Sequence, residues 1–334
     1  MIDTAGALLR LIERFRFSAA AIFLQAAVVF LCAPCFAAGY AASTVITANA
    51  GSAPEEFFIK SQGESSYSQY FANGAPAFCV AGRLLYILDA ANSRVKKYSL
   101  SGDFNSLVKL SAGFDIKWDE LCGIAAGGSG EIIVHTAKEI YRADENGKIT
   151  GRAQLEGAAE CGRIFEWDPK YFTAYDYKNL RIYSAAADFE KKTAAIISSF
   201  DNILFPWPVS NEEFLSPSLL SPGTLCVYRY RYGGEAGSPS GRMKIASSEF
   251  VSQFKFIGRD GGGNFYLRYF GDITEKIAVI APNLRAVETI VMDPAYSSKR
   301  SNMLYDECVG SDGCIYTLFI DSERLIVKKI AKSE

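Results

Sequence analysis

A short pattern that occurs twice sets the architecture of this chain. Asp89, Asn92, Arg94 and Val95 lie in DAANSRV, and Asp176, Asn179, Arg181 and Ile182 lie in DYKNLRI, so D-x-x-N-x-R-[VI] recurs 87 residues later. The interval holds two units of about 43 residues each, a period at which each unit is too small to bury its apolar faces alone and must stack on its neighbours. A repeated scaffold fixes a shape and leaves function to whichever residues it carries, so the site needs its own argument.

From Ala75 onward, short alternating or apolar runs are punctuated by Gly, Asn and Asp, which is an all-β pattern. APAFCVAG, RLLYILD, SRVKKYSL and the turn SGDF form a first unit. GIAAGGSG, EIIVHT, KEIYRA and DENGKIT form a second, in which Asn146-Gly147 supplies a positive-φ turn residue. RIFEWD, YFTAYDY and LRIYSA form a third, and residues 202–249 an irregular fourth. FIGRDGGGNFYLRYF, and then CVGSDGCIYTLFID with RLIVKKI, give the last two, each with an Asp-Gly turn and a tyrosine, Tyr266 or Tyr316, in the following strand. Units of about 46 residues match four-stranded blades. The last unit ends after its third strand, so an N-terminal strand is expected to complete it, and Glu55–Ser61 (EEFFIKS) is the segment expected to do so.

The run PAFCVAGRLLYILDAANSRVKKYSLSG at 76–102 resembles an NHL repeat. The resemblance implies an all-β, six-bladed β-propeller with four-stranded antiparallel blades around a channel, with loops on both faces available for binding. It implies no single reaction. Asp89 and Arg94 are expected to pair across a strand connection, with Asn92 allowing a tight or left-handed turn, and Asp176, Asn179 and Arg181 are expected to do the same.

The N-terminus reads as a targeting segment. Arg10, Arg14 and Arg16 precede an apolar run from Phe17 to Ala33, and AAGYAAS follows. A signal peptide over residues 1–41, cleaved after Ala41, is expected, with an uncleaved membrane anchor as the competing reading. Residues 42–54 then read as a flexible spacer and 55–334 as the propeller domain. The bulk of the chain is expected outside the cytoplasm, periplasmic or secreted. Pro34 before Cys35 fits a lipidation signal poorly.

The remaining cysteines, Cys79, Cys122, Cys161, Cys226, Cys308 and Cys314, are even in number, which permits disulfides in an exported chain. Cys308 and Cys314 flank the turn-rich VGSDG and are the expected local pair, against the alternative that these are small buried hydrophobes. No C-x-x-C occurs, which disfavours zinc or thioredoxin-like chemistry. A net charge of -2 gives no footprint for nucleic acid.

His135 is the only histidine, so a multi-histidine metal centre is excluded and a Ser-His-Asp triad would have to use this one residue. In the fourth unit Val227-Tyr228-Arg229-Tyr230-Arg231-Tyr232 alternates tyrosines and arginines on two faces. Either this is a half-buried strand, or Arg229, Tyr230 and Arg231 present guanidinium forks and aromatic platforms to an acidic peptide or a sugar. Trp207, in Phe205-Pro206-Trp207-Pro208, is either a filler between blades or part of the same binding surface.

The expected function is an exported, non-catalytic binding scaffold for a protein partner, needing no cofactor. The alternative is a metal-dependent hydrolase or lyase resembling the gluconolactonase group, with Glu120, Glu160 and Glu307 holding calcium or another divalent cation in the channel. A carbohydrate-binding module with aromatics around Trp207 and Tyr230 is the third reading.

Overall fold

The computed structural model describes residues 39–57, 77–111, 116, 120–121, 123–127, 130–157, 160–167, 171–210, 212–232, 238–292, 307–320 and 324–333. The expected signal segment falls almost wholly outside them. Residues Tyr40–Lys332 form one compact unit.

That unit is all-β, apart from a single 3-10 turn at Ala90–Asn92 among the described residues. The chain begins with strand β1 (Tyr40–Asn49) and passes into a first sheet of β2 (Ala77–Ala81), β3 (Leu84–Asp89), β4 (Arg94–Ser99) and β5 (Phe104–Lys109). Next come β6 (Gly123–Ala126), β7 (Ile132–His135), β8 (Glu139–Ala143) and β9 (Ile149–Leu155), then β10 (Arg163–Trp167), β11 (Phe172–Asp176), β12 (Arg181–Asp188) and β13 (Thr193–Phe200). These eight strands belong to one sheet of two antiparallel halves, whose outer strands β9 and β13 run parallel and pair at Gln154 with Thr193 and Leu155 with Ala194.

A third sheet holds β14 (Trp207–Pro208), β15 (Glu213–Ser221), β16 (Thr224–Arg231) and β17 (Gly241–Ala246). A fourth holds β18 (Gln253–Arg259), β19 (Phe265–Phe270), β20 (Glu275–Ile280) and β21 (Ala286–Val291). The closing sheet combines β22 (Glu307–Val309), β23 (Ile315–Ile320) and β24 (Arg324–Lys332) with β1, its outer strand.

The core is divided among the seams between sheets. One apolar cluster joins the first sheet to β6–β9, built on Leu88, Val95, Ile132 and Tyr141. Others join the two halves of the eight-stranded sheet, the β10–β13 half to the third sheet, the third to the fourth, the fourth to the closing sheet, and the closing sheet back to the first. The sheets therefore follow one another round a ring and meet again, the β-propeller arrangement, in which no sheet buries its faces alone.

The closing strand is not the one expected. β1, in the segment read as a spacer, pairs antiparallel with β24 from Tyr40 opposite Lys332 to Asn49 opposite Arg324. The register slips between Thr44 and Ile46. A one-residue bulge reverses the side-chain parity beyond it. Tyr40 and Ala42 accordingly pack towards the fourth sheet, and Ile46 and Ala48 towards the first. Glu55–Phe57 follow this strand instead of forming it: Phe57 makes one bridge to Ala50, and residues 58–61 lie outside the described residues.

The first D-x-x-N-x-R motif holds this segment down. Asp89 is buried and accepts from Arg94 Nε at 2.8 Å and from Asn92 Nδ2 at 3.0 and 3.1 Å. Arg94 donates onward to the carbonyls of Ser52, at 2.9 Å, and Glu56. Buried Lys96 also donates to Glu56 O and sits 3.6 Å from the centroid of the Phe57 ring.

The second motif departs from the expected pairing. Asp176 accepts from the backbone N–H groups of Glu160, Lys178 and Asn179 at 2.9, 3.0 and 3.0 Å and from Asn179 Nδ2 at 2.7 Å. With its oxygens thus engaged, Arg181 turns outward to Asp201 at 2.5 Å. In both copies the left-handed residue is the one after the asparagine, Ser93 (φ 51) and Leu180 (φ 49), not Asn92 or Asn179.

Tyrosines in second strands tie adjacent sheets. Tyr266 donates to Asp260 Oδ2 at 3.2 Å and reaches Gly313 O at 3.3 Å, while Tyr316 donates to Asp312 Oδ2 at 3.1 Å and reaches Leu100 O at 3.3 Å. Gly147 has the expected positive φ of 87, and a Cβ there would lie 2.3 Å from Lys109 O.

Candidate functional site

The first strand of each four-strand set lines one cavity of about 510 Å³, to which Cys79, Ala125, Arg163, Trp207, Arg259 and Cys308 contribute in turn. Its wall is a collar of aliphatic, aromatic and thiol side chains interrupted by two guanidinium groups. The carboxylate of Asp260 is also on the lining, but its oxygens are engaged by the N–H and side-chain amide of Asn264 at 2.8 and 2.9 Å and by Tyr266.

Arg163, at the start of β10, has its guanidinium 4.9 Å from the ring of Trp207 and 5.2 Å from that of Phe165, and the two rings lie 5.0 Å apart. An arginine lying on aromatic faces loses little hydration it values and keeps its planar fork in a fixed orientation, a geometry suited to carboxylate or phosphate. Arg259 lies 5.4 Å from the Phe265 ring and reaches Val209 O at 3.4 Å.

His135 also lines the cavity, fully buried beside Gly123, where a Cβ would come within 2.1 Å of its Nε2. Its Nδ1 lies 3.2 Å from Thr136 O. Burial drives its pKa down to about 4, only partly opposed by the Thr136 carbonyl. The imidazole is therefore neutral at ordinary pH and is built into the wall.

The expected carboxylate trio does not form a metal cradle. Glu307 is buried and neutralised by Arg268 and by Lys255 at 3.0 Å, and Arg268 also holds Glu275 at 2.5 Å. Burial alone raises the Glu307 carboxyl, but the Arg268 and Lys255 charges outweigh it and hold the pKa at about 2. Glu160 is engaged by Lys178 at 2.9 Å and Lys138 at 3.7 Å, and Glu120 is exposed. Among the described residues no group of three or more His, Cys, Asp or Glu side chains is placed to hold a metal ion.

No residue of the tyrosine–arginine strand lines this cavity. Tyr230 stacks on Phe214 with centroids 5.4 Å apart at 21° and meets Phe200 at 5.3 Å, so it belongs to the seam between sheets. Arg229 donates to Pro282 O of the neighbouring sheet and lies 4.0 Å from Glu213, which also takes Arg231 at 3.3 Å. Trp207, buried at 7% exposure, is the one member of the expected binding set that reaches the cavity.

The expected Cys308–Cys314 disulfide is absent, and both residues are free thiols. Strand register gives the reason: Cys308 stands opposite Tyr316, whereas Cys314 closes the turn against Gly310, so the two sulfurs are out of step along the hairpin.

No protein-family model matches the chain, and no curated protein matches it. Among solved structures, a Bacteroides fragilis protein assigned as exported is 11% identical over 88% of this chain and 96% of its own, with a TM-score of 0.49. The Pan2 WD40 domain of Neurospora crassa is 12% identical over 77% of this chain and 76% of its own, at 0.43. A streptogramin B lyase is 9% identical over 87% and 98%, also at 0.43. At these values none of them extends a site or an activity to this chain.

Proposed function

We propose that the chain is an exported, non-catalytic binding scaffold, a six-bladed propeller of NHL-like blades whose central cavity grips a carboxylate-bearing group presented by a protein partner. The blade count treats the eight-stranded sheet as two blades, because only two residue pairs join its antiparallel halves. The observation that carries the binding reading is the Arg163 guanidinium held against Trp207 and Phe165 inside the cavity. A guanidinium in such a low-dielectric pocket favours an anion strongly, and the neighbouring rings offer the rest of the ligand an apolar seat. Such a role asks for no cofactor. The buried imidazole of His135, its pKa held near 4, is a weak base, and the Asp260 carboxylate on the wall is already engaged by Asn264 and Tyr266.

The test is capture from a cell-envelope extract by the immobilised chain and by its Arg163→Ala variant, read by mass spectrometry. A protein retained by the parent and lost from the variant, with free glutamate peptides competing, is the expected result. Equal capture by both sinks the cavity reading. Tight calcium uptake that disappears in Glu307→Gln would favour the metal-dependent enzyme instead.

A further inference from the structure

We propose that a signal peptidase cuts the leader between Ala37 and Ala38, so that Gly39 and Tyr40 remain in the mature chain as the beginning of the ring-closing strand β1. The proposal rests on the reading of the chain as exported. Cleavage after Ala41, the site expected from the sequence, would discard residues that the fold uses.

Tyr40 stands opposite Lys332 in the ladder between β1 and β24. Its hydroxyl donates to Glu288 Oε2 at 3.1 Å, and Lys332 Nζ lies 3.3 and 3.4 Å from the two oxygens of the same carboxylate. Glu288 belongs to β21, so one carboxylate clamps the first strand, the last strand and the outer strand of the fourth sheet. The Tyr40 ring packs with Ala42 on the apolar seam that holds Tyr266, Val279 and Ile330. Burial, and then Glu288, pushes its phenol up to about 12, so the hydroxyl keeps its proton at neutral pH. One residue earlier, Gly39 O accepts from the Ser333 hydroxyl and from its backbone N–H, the latter at 2.6 Å. The first residues of a domain are ordinarily loose unless tied down, and these are tied to two sheets. A leader is absent from the mature protein, so residues with such ties belong on the mature side of the cut.

The residues just upstream supply the site. Leader peptides end in a small residue, any residue and a small residue. Cys35-Phe36-Ala37 has that form and follows shortly after the apolar run Phe17 to Ala33. A cut after Ala38 would put the bulky Phe36 where a small residue is wanted, and a cut after Gly39 would carry off the carbonyl that Ser333 holds. In the hydrolysis the C–N bond between Ala37 and Ala38 breaks. Water gives its hydroxyl to the Ala37 carbonyl carbon and its other proton to the Ala38 nitrogen, and nothing is oxidised or reduced.

The full chain, leader included and tagged at its C-terminus, is expressed in a Gram-negative host, and the periplasmic, membrane and cytoplasmic fractions are read by intact mass and N-terminal sequencing. The expected product is a periplasmic chain beginning Ala38-Gly39-Tyr40. Ala37→Gln should abolish processing at this bond, whereas Ala41→Gln, at an exposed position of β1, should be processed like the parent. A periplasmic chain beginning at Ala42, processing blocked by Ala41→Gln, or a full-length chain held in the membrane overturns the site while leaving export standing. A full-length chain left in the cytoplasm overturns the export reading with it. Leaderless chains begun at Ala38 and at Ala42 test the structural ground without the peptidase. The shorter should melt about 4 °C lower for want of the Tyr40 clamp, and equal Tm values would overturn the proposal.

Discussion

Lowering the pH from 7.5 to 5 confronts His135 with a choice that its surroundings make costly. In the unfolded chain its imidazole titrates at its ordinary value of 6.5, but in the fold, walled in beside Gly123, it resists protonation until about pH 4. The unfolded state thus binds a proton that the native state refuses. This contribution to stability is intact above pH 6.5 and drains away as pH falls towards 4. Linkage gives a loss of about 2 kcal/mol at pH 5, rising to about 3 kcal/mol at pH 4. Urea denaturation of the parent chain and of His135→Asn, each at pH 7.5 and pH 5, isolates the effect, because carboxylates common to both cancel in the double difference. The parent should lose about 2 kcal/mol more than the variant over that interval. Parallel losses would show that the ring is reached by water, and the account of a dry imidazole in the cavity wall would fail.

Three further outcomes follow from the packing. Glu307→Ala leaves buried Arg268 and half-buried Lys255 to share Glu275, the remaining carboxylate of the group, and should cost about 3 kcal/mol in chemical denaturation, with a near-parental midpoint counting against a buried network. Arg94→Ala and Arg181→Ala touch the same motif position in two copies, yet the first should cost about 3 kcal/mol and the second under about 1 kcal/mol, because Arg94 is buried with its partner Asp89 and Arg181 pairs at the surface. Equal losses in thermal melts would restore the idea that both copies are built alike. A chain begun at Ala50 lacks β1 and bares the β24 edge, so size-exclusion chromatography should find it aggregated, whereas one begun at Tyr40 should elute as a monodisperse species.

The sheet-by-sheet plan was readable because turn residues recur at a near-constant interval, and runs such as RLLYILD and FYLRYF are the short, mainly apolar stretches of strands buried on both faces. β1 was not, since its Ala, Ser and Thr residues carry little hydrophobic signal and the slip at Thr44–Ile46 breaks the parity on which strand reading depends. Pairing of Asp89 with Arg94 followed from composition and spacing. That of Asp176 with Arg181 failed because the local backbone N–H groups satisfy the aspartate first, a competition invisible in the motif itself. Of the expected binding set only Trp207 reaches the cavity. Arg163 and Arg259 belong to no motif of the sequence, although each lies on the first strand of its unit, and that shared position is the signal by which they are found. Whether a side chain on such a strand points to the axis or to a neighbour depends on blade curvature, which spacing alone does not encode.

Among the described residues β9 and β13 form the one two-pair ladder between neighbouring four-strand sets, beside the single bridge from Ser111 to Lys148 at the first seam. Elsewhere adjoining sheets cling chiefly through interlocked side chains, which denaturant loosens by wetting, but here amides bridge the gap as well. The 123–200 stretch should consequently melt as a single block, and its outer-strand amides should keep their protons after the rest of the wheel has begun to come apart.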